Sequence, residues 1–425
     1  MATQAKTVEA LALTLHGINI GVLLHYQDNK NQLIFNPAYI GRRGNKPVLT
    51  VSQLADSAYL EQIQVSAQRV PSLLSNLLPE GALREWMAKA LKVDINNEFA
   101  MLAYSGSSLT GALKATPIAP EDLPSWADTQ GIAVVNIKTP VPDTDGKING
   151  FSFAGVQIKF SGSRKDGRYN LQQSDHDKWI IKTPSTLHPH LPENEYSAMR
   201  LAEAVGVVIP EIELIQLNQL DNLPEIKLPE EEYAFAIRRF DRAKAEQETR
   251  RIHSEDFAQV FGVYSHAKYE RHNHETIGAV LYEYSAKPLA DMQQMARRML
   301  ANLMIGNGDA HLKNWSLLYP DQMQPVLSPA YDIVATHVYL PNEHTLAFRL
   351  GKENDWHRLS LSHFELWASR IGVSWPAIRV HLLDAVANAR SEWPRLLDSL
   401  PMHNDHKMKL RLHWEKLSSD FKINS

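Results

Sequence analysis

The sequence predicts an α+β chain in which a small N-terminal α/β domain precedes a sheet-rich part and then an all-helical part. Three observations predict it. Short β-branched and aromatic runs bounded by Gly, Asp, Asn and Pro clusters dominate residues 131–250. From about residue 251 to 425 the apolar residues recur at helical spacing instead. Ahead of both, residues 1–130 mix short apolar runs with turn signals such as Gly41-Arg42-Arg43-Gly44-Asn45-Lys46-Pro47. A sheet-rich part followed by a helical part implies two lobes with a cleft between them.

In chain order, a helix is expected around Phe99 to Ala103, and Pro117, Pro120 and Pro124 mark a linker that ends the first domain. Strands are expected at Ile132 to Ile137, Phe151 to Phe153, Val156 to Phe160, Trp179 to Ile181, Ile212 to Leu217 and Tyr233 to Ile237. One helix interrupts them. Pro192 suits its first turn, Tyr196, Met199 and Ala202 repeat at helical spacing, and Gly206 can end it. Beyond residue 250, Ser254 is expected to cap a helix carrying Phe257, Val260 and Phe261. The clearest helix is Asp291 to Ile305, whose Met292, Met295, Met299, Leu300 and Leu303 form one stripe for core packing. Leu361 to Leu412 reads as further amphipathic helices.

Composition narrows the function. The 425 residues are 44% hydrophobic and 22% charged, ordinary for a globular chain with substantial cores. No apolar run approaches the ~18 residues of a membrane span, and Met1 to Gly17 lacks a basic leader, so a cytoplasmic protein with no membrane partner is expected. The absence of cysteine excludes disulfides, a thiolate nucleophile and Cys-ligated metal. A net charge of −4 disfavours autonomous nucleic-acid binding, although Arg42, Arg43 and Lys46, or Lys407, Lys409 and Arg411, could touch DNA beside a partner.

The chemistry is concentrated after the methionine-rich helix, in Gly306-Asn307-Gly308-Asp309-Ala310-His311-Leu312-Lys313-Asn314. A carboxylate followed five positions later by an asparagine has the spacing of a protein-kinase catalytic loop, with Asp309 receiving the substrate proton and Asn314 holding magnesium. Downstream, Pro329-Ala330-Tyr331-Asp332 sets a second aspartate in a turn, fit to bind the metal that bridges phosphates. Upstream, Ser152-Phe153-Ala154-Gly155-Val156-Gln157-Ile158-Lys159 places a glycine turn between strands, where backbone N–H groups can meet phosphate oxygens. Lys182 ends an apolar strand and Glu195 lies on the next helix as its partner, with Glu203 as an alternative. Each signal has a bland counterpart: a polar turn, a solvated cap, or a lysine reaching solvent. Their joint order, from glycine turn through strand lysine and helix glutamate to Asp309, Asn314 and Asp332, is that of a kinase.

On these motifs, together with Arg239-Phe240-Asp241-Arg242 and Leu77-Leu78-Pro79-Glu80-Gly81, the chain resembles the HipA family of kinase toxins over nearly its full length. The resemblance implies a bilobal protein-kinase-like core and an ATP- and Mg2+-dependent serine/threonine kinase. It further implies glutamyl-tRNA synthetase as the protein substrate, and a HipB-like helix-turn-helix antitoxin dimer through which operator DNA is met. By the same resemblance Lys182 takes the ATP phosphates, and Ala154, Gly155, Val156, Gln157, Ile158, Lys159 and Tyr331 join the nucleotide site. Arg238, Arg239 and Phe240 flank the adenine, and Ser152 is the autophosphorylated residue whose modification silences the enzyme. His311 or Lys313 is expected at the γ-phosphate. Two positions depart from the family pattern: Ile158 stands where a glutamate is common and Arg238 where an acidic residue is frequent.

Two other readings use the same residues. Asp309, His311 and Asp332 could ligate the metal of a phosphoester hydrolase, although no HExxH arrangement completes such a site. Alternatively the chain binds nucleotide without transferring phosphate and serves as a corepressor module.

Overall fold

In the computed structural model the described residues are 7–128, 133–135, 157–171, 177–224, 226–243, 250–269, 272–340 and 342–424. They fall into two compact units, the first built from 1–149 with 241–267 and 318–325, the second from the remainder.

The first unit is organised by alternation. In β1 (Thr7–Leu15), Leu11, Leu13 and Leu15 face one core while Val8 and Ala10 face another, as the two-residue period of a strand requires. β2 (Ile18–Tyr26), β3 (Lys30–Phe35), β4 (Gln64–Ala67) and β5 (Leu113–Pro117) complete the antiparallel order β4-β3-β2-β1-β5. Met87 and Leu91, from and just beyond α1 (Gly81–Ala90), join Phe99 and Leu102 of α2 (Glu98–Ser105) in the larger core.

The proline segment does not behave as the expected linker. Pro120–Asp122 and Ser125–Ala127 are short turns, and buried Ile118 and Ala127 close the second core over Val22 and Leu24. Proline's fixed φ suits such turns, and the apolar residues between the prolines supply something to bury. The strand expected over 132–137 appears as β6 (Ala133–Val134), paired in parallel with Thr7 and Val8 rather than within the second unit.

The cut expected near residue 250 is also crossed by this unit. Asp241 accepts hydrogen bonds from Gly111 N and Arg242 Nη1, each at 2.7 Å. Gly111 has φ +75, and a Cβ there would lie 2.8 Å from Ser254 N, so glycine is required. Ser254 is not the helix cap expected from sequence. It lies in a strand, His253–Asp256, and Asp256 caps Phe257–Val260 through a reciprocal box with Gln259. Glu255 is consequently buried, where it accepts from Val51 N at 2.8 Å and from the Tyr319 hydroxyl.

The second unit begins with a six-stranded sheet. β7 (Lys159–Lys165), β8 (Arg168–Asn170), β9 (Trp179–Lys182), β10 (Ile212–Gln216), β11 (Leu220–Asp221) and β12 (Tyr233–Arg238) run in the order β10-β12-β9-β7-β8-β11. β9 is central, bonded to β12 and β7. α3 (Leu191–Ala204) packs on β12; it carries Pro192 in its first turn, and Gly206, at φ +81, follows its end.

The rest of this unit is mainly helical: α4 (His274–Tyr284), α5 (Pro288–Ile305), α6 (Leu361–Ile371), α7 (Trp375–Ser399) and α8 (Asn404–Lys416). α5 starts one turn earlier than expected because Pro288 supplies its first turn, and it ends at Gly306 with φ +72. Buried tryptophans lock the helices while satisfying their indole N–H groups. Trp393 donates to Leu201 O at 2.9 Å and Trp414 to Met304 O at 3.0 Å. The architecture is therefore α+β, with a sheet-rich lobe, a helical lobe and a preceding α/β unit. Among the described residues no helix is long and apolar enough to cross a membrane.

Candidate active site

The antiparallel register of β7 and β9 sets Lys159 directly opposite Lys182. Like charges facing across strands are unfavourable unless an anion lies between them. Asp332 is that anion: Lys159 Nζ is 3.1 Å from its Oδ2, and Lys182 Nζ donates to its Oδ1. Lys182 also donates to Glu195, which α3 presents from behind, so one buried ammonium is shared by two carboxylates. Asp332 adopts φ +53, a conformation unfavourable for an ordinary side chain and tolerated where surrounding contacts over-determine it.

Burial alone would lower the Lys182 pKa, but Asp332 and Glu195 hold it above its ordinary value. Burial alone would raise Asp332, but Lys159 and Lys182 hold it well below the usual carboxylate range. Burial pushes Glu195 up, against the pull of Lys182. Asp332, whose side chain is 25% exposed, is the more accessible of the two carboxylates, and Glu195, at 1%, is enclosed behind Lys182.

The second half of the site follows α5. Gly306 turns the chain out of the helix, and the loop is pinned by Asn307, whose Nδ2 donates to Asn302 Oδ1 at 3.0 Å while its own Oδ1 accepts from Asp309 N at 3.1 Å. Asp309 is exposed and its Oδ1 accepts from the Tyr269 hydroxyl. Asn314 Nδ2 donates to Asp309 O at 2.8 Å, which orients the amide and leaves its carbonyl oxygen as the atom to offer a cation. Beneath this loop lies Arg298, stacked on Trp315 at 4.4 Å and donating to Asn314 O. Burial pushes Arg298 down to about 10, so it stays charged at neutral pH.

The remaining expected residues are distributed around these two halves. Tyr331 donates to Lys313 O at 2.8 Å and its ring centroid lies 5.4 Å from that of Phe240. Arg239 reaches Ser161 Oγ at 3.2 Å, while Arg238 pairs with Glu211 at 3.2 Å and lies over Trp179. His311 is buried with its ring edge-on to Tyr269, 5.2 Å between centroids. Ile158 is buried and its carbonyl accepts from Thr183 N at 3.0 Å, next to Gln157. Ser152, Ala154, Gly155 and Val156 lie outside the described residues.

Sequence reasoning missed Tyr269, Arg298 and the sharing of Asp332 by two lysines. Arg298 carried a faint signal, being a charged residue beside Met299 in an otherwise apolar stripe. The hydrolase arrangement does not form: among the described residues Asp309, His311 and Asp332 do not converge as a ligand group. Asp332 is engaged by lysines, and His311 faces an aromatic ring.

Residues 151–393 match the HipA-like C-terminal domain and residues 11–116 the HipA N-terminal domain. The chain belongs to the HipA family. It is 34% identical to Y4dM of Sinorhizobium fredii, a provisionally named kinase, over 93% of this chain and 94% of that one. It is 29% identical to the serine/threonine-protein kinase toxin HipA of Shewanella oneidensis, over 73% of each chain. A HipA chain from Shewanella oneidensis MR-1, solved in complex with HipB and its operator DNA, shares the fold with a TM-score of 0.70 at 20% identity, covering 96% of this chain and 97% of that one. The N-terminal match lies within the first unit, and the C-terminal match contains Lys182, Asp309 and Asp332.

Proposed function

We propose that this HipA-family chain is an ATP- and Mg2+-dependent serine/threonine-protein kinase of the toxin type, acting in the cytoplasm on glutamyl-tRNA synthetase. The observation that carries the reading is the pair of facing lysines held on Asp332, with Glu195 behind. A site with two ammonium groups and one ionised, partly exposed carboxylate suits a polyphosphate bound together with a hard cation.

The donor set fits magnesium, since Asp332 supplies a carboxylate and Asn314 an amide oxygen oriented by its own hydrogen bond. When bound, the ion would neutralise charge developing on the phosphate oxygens. Lys182, held by Glu195, would meet the phosphates. Asp309, exposed beside Tyr269, would take the proton of the attacking serine hydroxyl as the new P–O bond forms and the bond to ADP breaks. His311 and Lys313 stand next in the loop for the transferred group, and Arg238, Arg239, Phe240 and Tyr331 for the adenine side. Phosphorylation of Ser152 would silence the enzyme by placing a dianion among phosphate-binding backbone groups. A HipB-like helix-turn-helix dimer would neutralise it and bring it to operator DNA, which agrees with the chain's own net charge of −4.

The test is transfer from γ-labelled ATP to the chain and to glutamyl-tRNA synthetase, compared with Asp309→Asn and Ser152→Ala. Asp309→Asn is expected to lower the rate by about 10²–10⁴-fold with the fold intact, and Ser152→Ala to abolish self-labelling while sparing transfer to the substrate. ATP binding with no transfer by the unphosphorylated wild type would replace this reading with the nucleotide-binding corepressor.

A further inference from the structure

A second polar cluster surrounds the start of α3 and is unused by the reaction above. His190, the residue before the helix, has φ +58 and donates its backbone N–H to Glu231 Oε1 at 3.1 Å. Its Nδ1 is 3.4 Å from Oε1 of Glu193. One ligand atom from each of His190, Glu193 and Glu231 lies within 4.8 Å of the other two. From α8 and its cap come two more imidazoles: His403 stacks on His190 with centroids 4.4 Å apart, and His406 lies edge-on at 6.4 Å.

The cluster is not satisfied by its own hydrogen bonds. Glu193 is 7% exposed, yet its Oε2 has no hydrogen-bond partner among the described residues; neither has Oε2 of Glu231 nor Nδ1 of His406, which is 5% exposed. Buried acceptors left unpaired are costly, and two carboxylates with an orphaned oxygen beside the His190 imidazole indicate a missing partner of positive charge. Burial pushes Glu231 up, with Glu193 adding to the effect.

We infer that His190, Glu193 and Glu231 form a three-ligand binding site for one divalent transition-metal ion. Mixed imidazole and carboxylate donors suit a borderline ion such as Zn2+ better than Mg2+ or Ca2+, which take oxygen. Ligand bonds of about 2.0–2.2 Å in a tetrahedron place donor atoms about 3.3–3.5 Å apart, and the His190 to Glu193 separation already meets this. The ion would tie Glu231, just ahead of β12, to the first turn of α3, two residues before Glu195.

The experiment uses the full chain, stripped with chelator and titrated with Zn2+ against a chromogenic competitor, with metal content measured after dialysis and folding checked by circular dichroism. One tightly held Zn2+ per chain is expected, with affinity at least about 100-fold weaker in Glu231→Gln and in His190→Gln, since losing even an indirect support of a ligand costs 10–100-fold. Asp332→Asn is expected to retain the ion, which separates this site from the Mg2+ site. Co2+ in the wild type should show tetrahedral d–d absorption that Glu231→Gln lacks. No binding by the wild type, or binding unchanged in folded Glu231→Gln, would overturn the inference.

Discussion

Glu255 in the first unit and Asp332 in the second are both aspartate or glutamate carboxylates drawn inward by the fold, yet their neighbours differ in kind. Glu255 is fully enclosed among neutral donors, the Val51 amide and the Tyr319 and Thr50 hydroxyls, and burial pushes it up to about 7. Asp332 meets two ammonium groups, remains partly exposed, and is held ionised. Neutral donors satisfy geometry and leave protonation free to follow burial; cations fix the charge. The first arrangement secures a fold, and the second keeps a charge available for chemistry.

The contrast breaks most severely at Lys182. Lys182→Met leaves Glu195 buried without its cation, and a loss of ~3–5 kcal/mol in stability is expected, together with loss of ATP binding. Because Glu195 can then take up a proton, the loss should be smaller at pH 5 than at pH 8, as denaturant melts at the two pH values would record.

Glu255 couples the stability of the first unit to pH. Its folded pKa of about 7 lies above the ordinary 4.5, so its contribution is present below pH 4.5 and is lost as pH rises through 7, about 3 kcal/mol in all. His253 runs the other way: burial lowers it from 6.5 to about 4, so its contribution holds above pH 6.5 and is lost as pH falls towards 4. The two slopes nearly cancel in the wild type. Glu255→Gln should unmask the His253 slope, making the first unit gain stability as pH rises from 4 to 6.5, read by hydrogen exchange in β1 and β2.

A backbone change tests the first unit without altering charge. Gly111→Ala forces a Cβ against Ser254 at φ +75 and is expected to cost about 1–3 kcal/mol, seen as a lower melting midpoint with kinase kinetics preserved. The mildest effect is expected at Tyr269, whose hydroxyl orients Asp309. Tyr269→Phe should reduce kcat by less than about tenfold, the worth of one hydrogen bond, and leave the KM for ATP unchanged.

Much of the fold could be read from local pattern. The stop at Gly306, the turn at Pro192 and the strand Trp179 to Lys182 depend on neighbours a few residues away, and the structure has each. The strand at Ser254 is not legible locally because its partners are distant in sequence: it pairs within a sheet, and Glu255 meets Val51 and Tyr319, 204 and 64 residues away. The proline segment reads as a linker because composition records turns and does not record the core beneath them.

By itself the sequence determined which residue types could bind phosphate and metal, and the spacing from Asp309 to Asn314, since a five-residue loop carries its own geometry. Only the tertiary structure decided their partners. Lys159 meets Asp332 across 173 residues, Tyr269 meets Asp309 across 40, and Glu231 reaches His190 across 41. Charge pairing falls off within a few ångströms of contact, and chain distance says nothing about which side chains come that close until strands have chosen a register and helices a face.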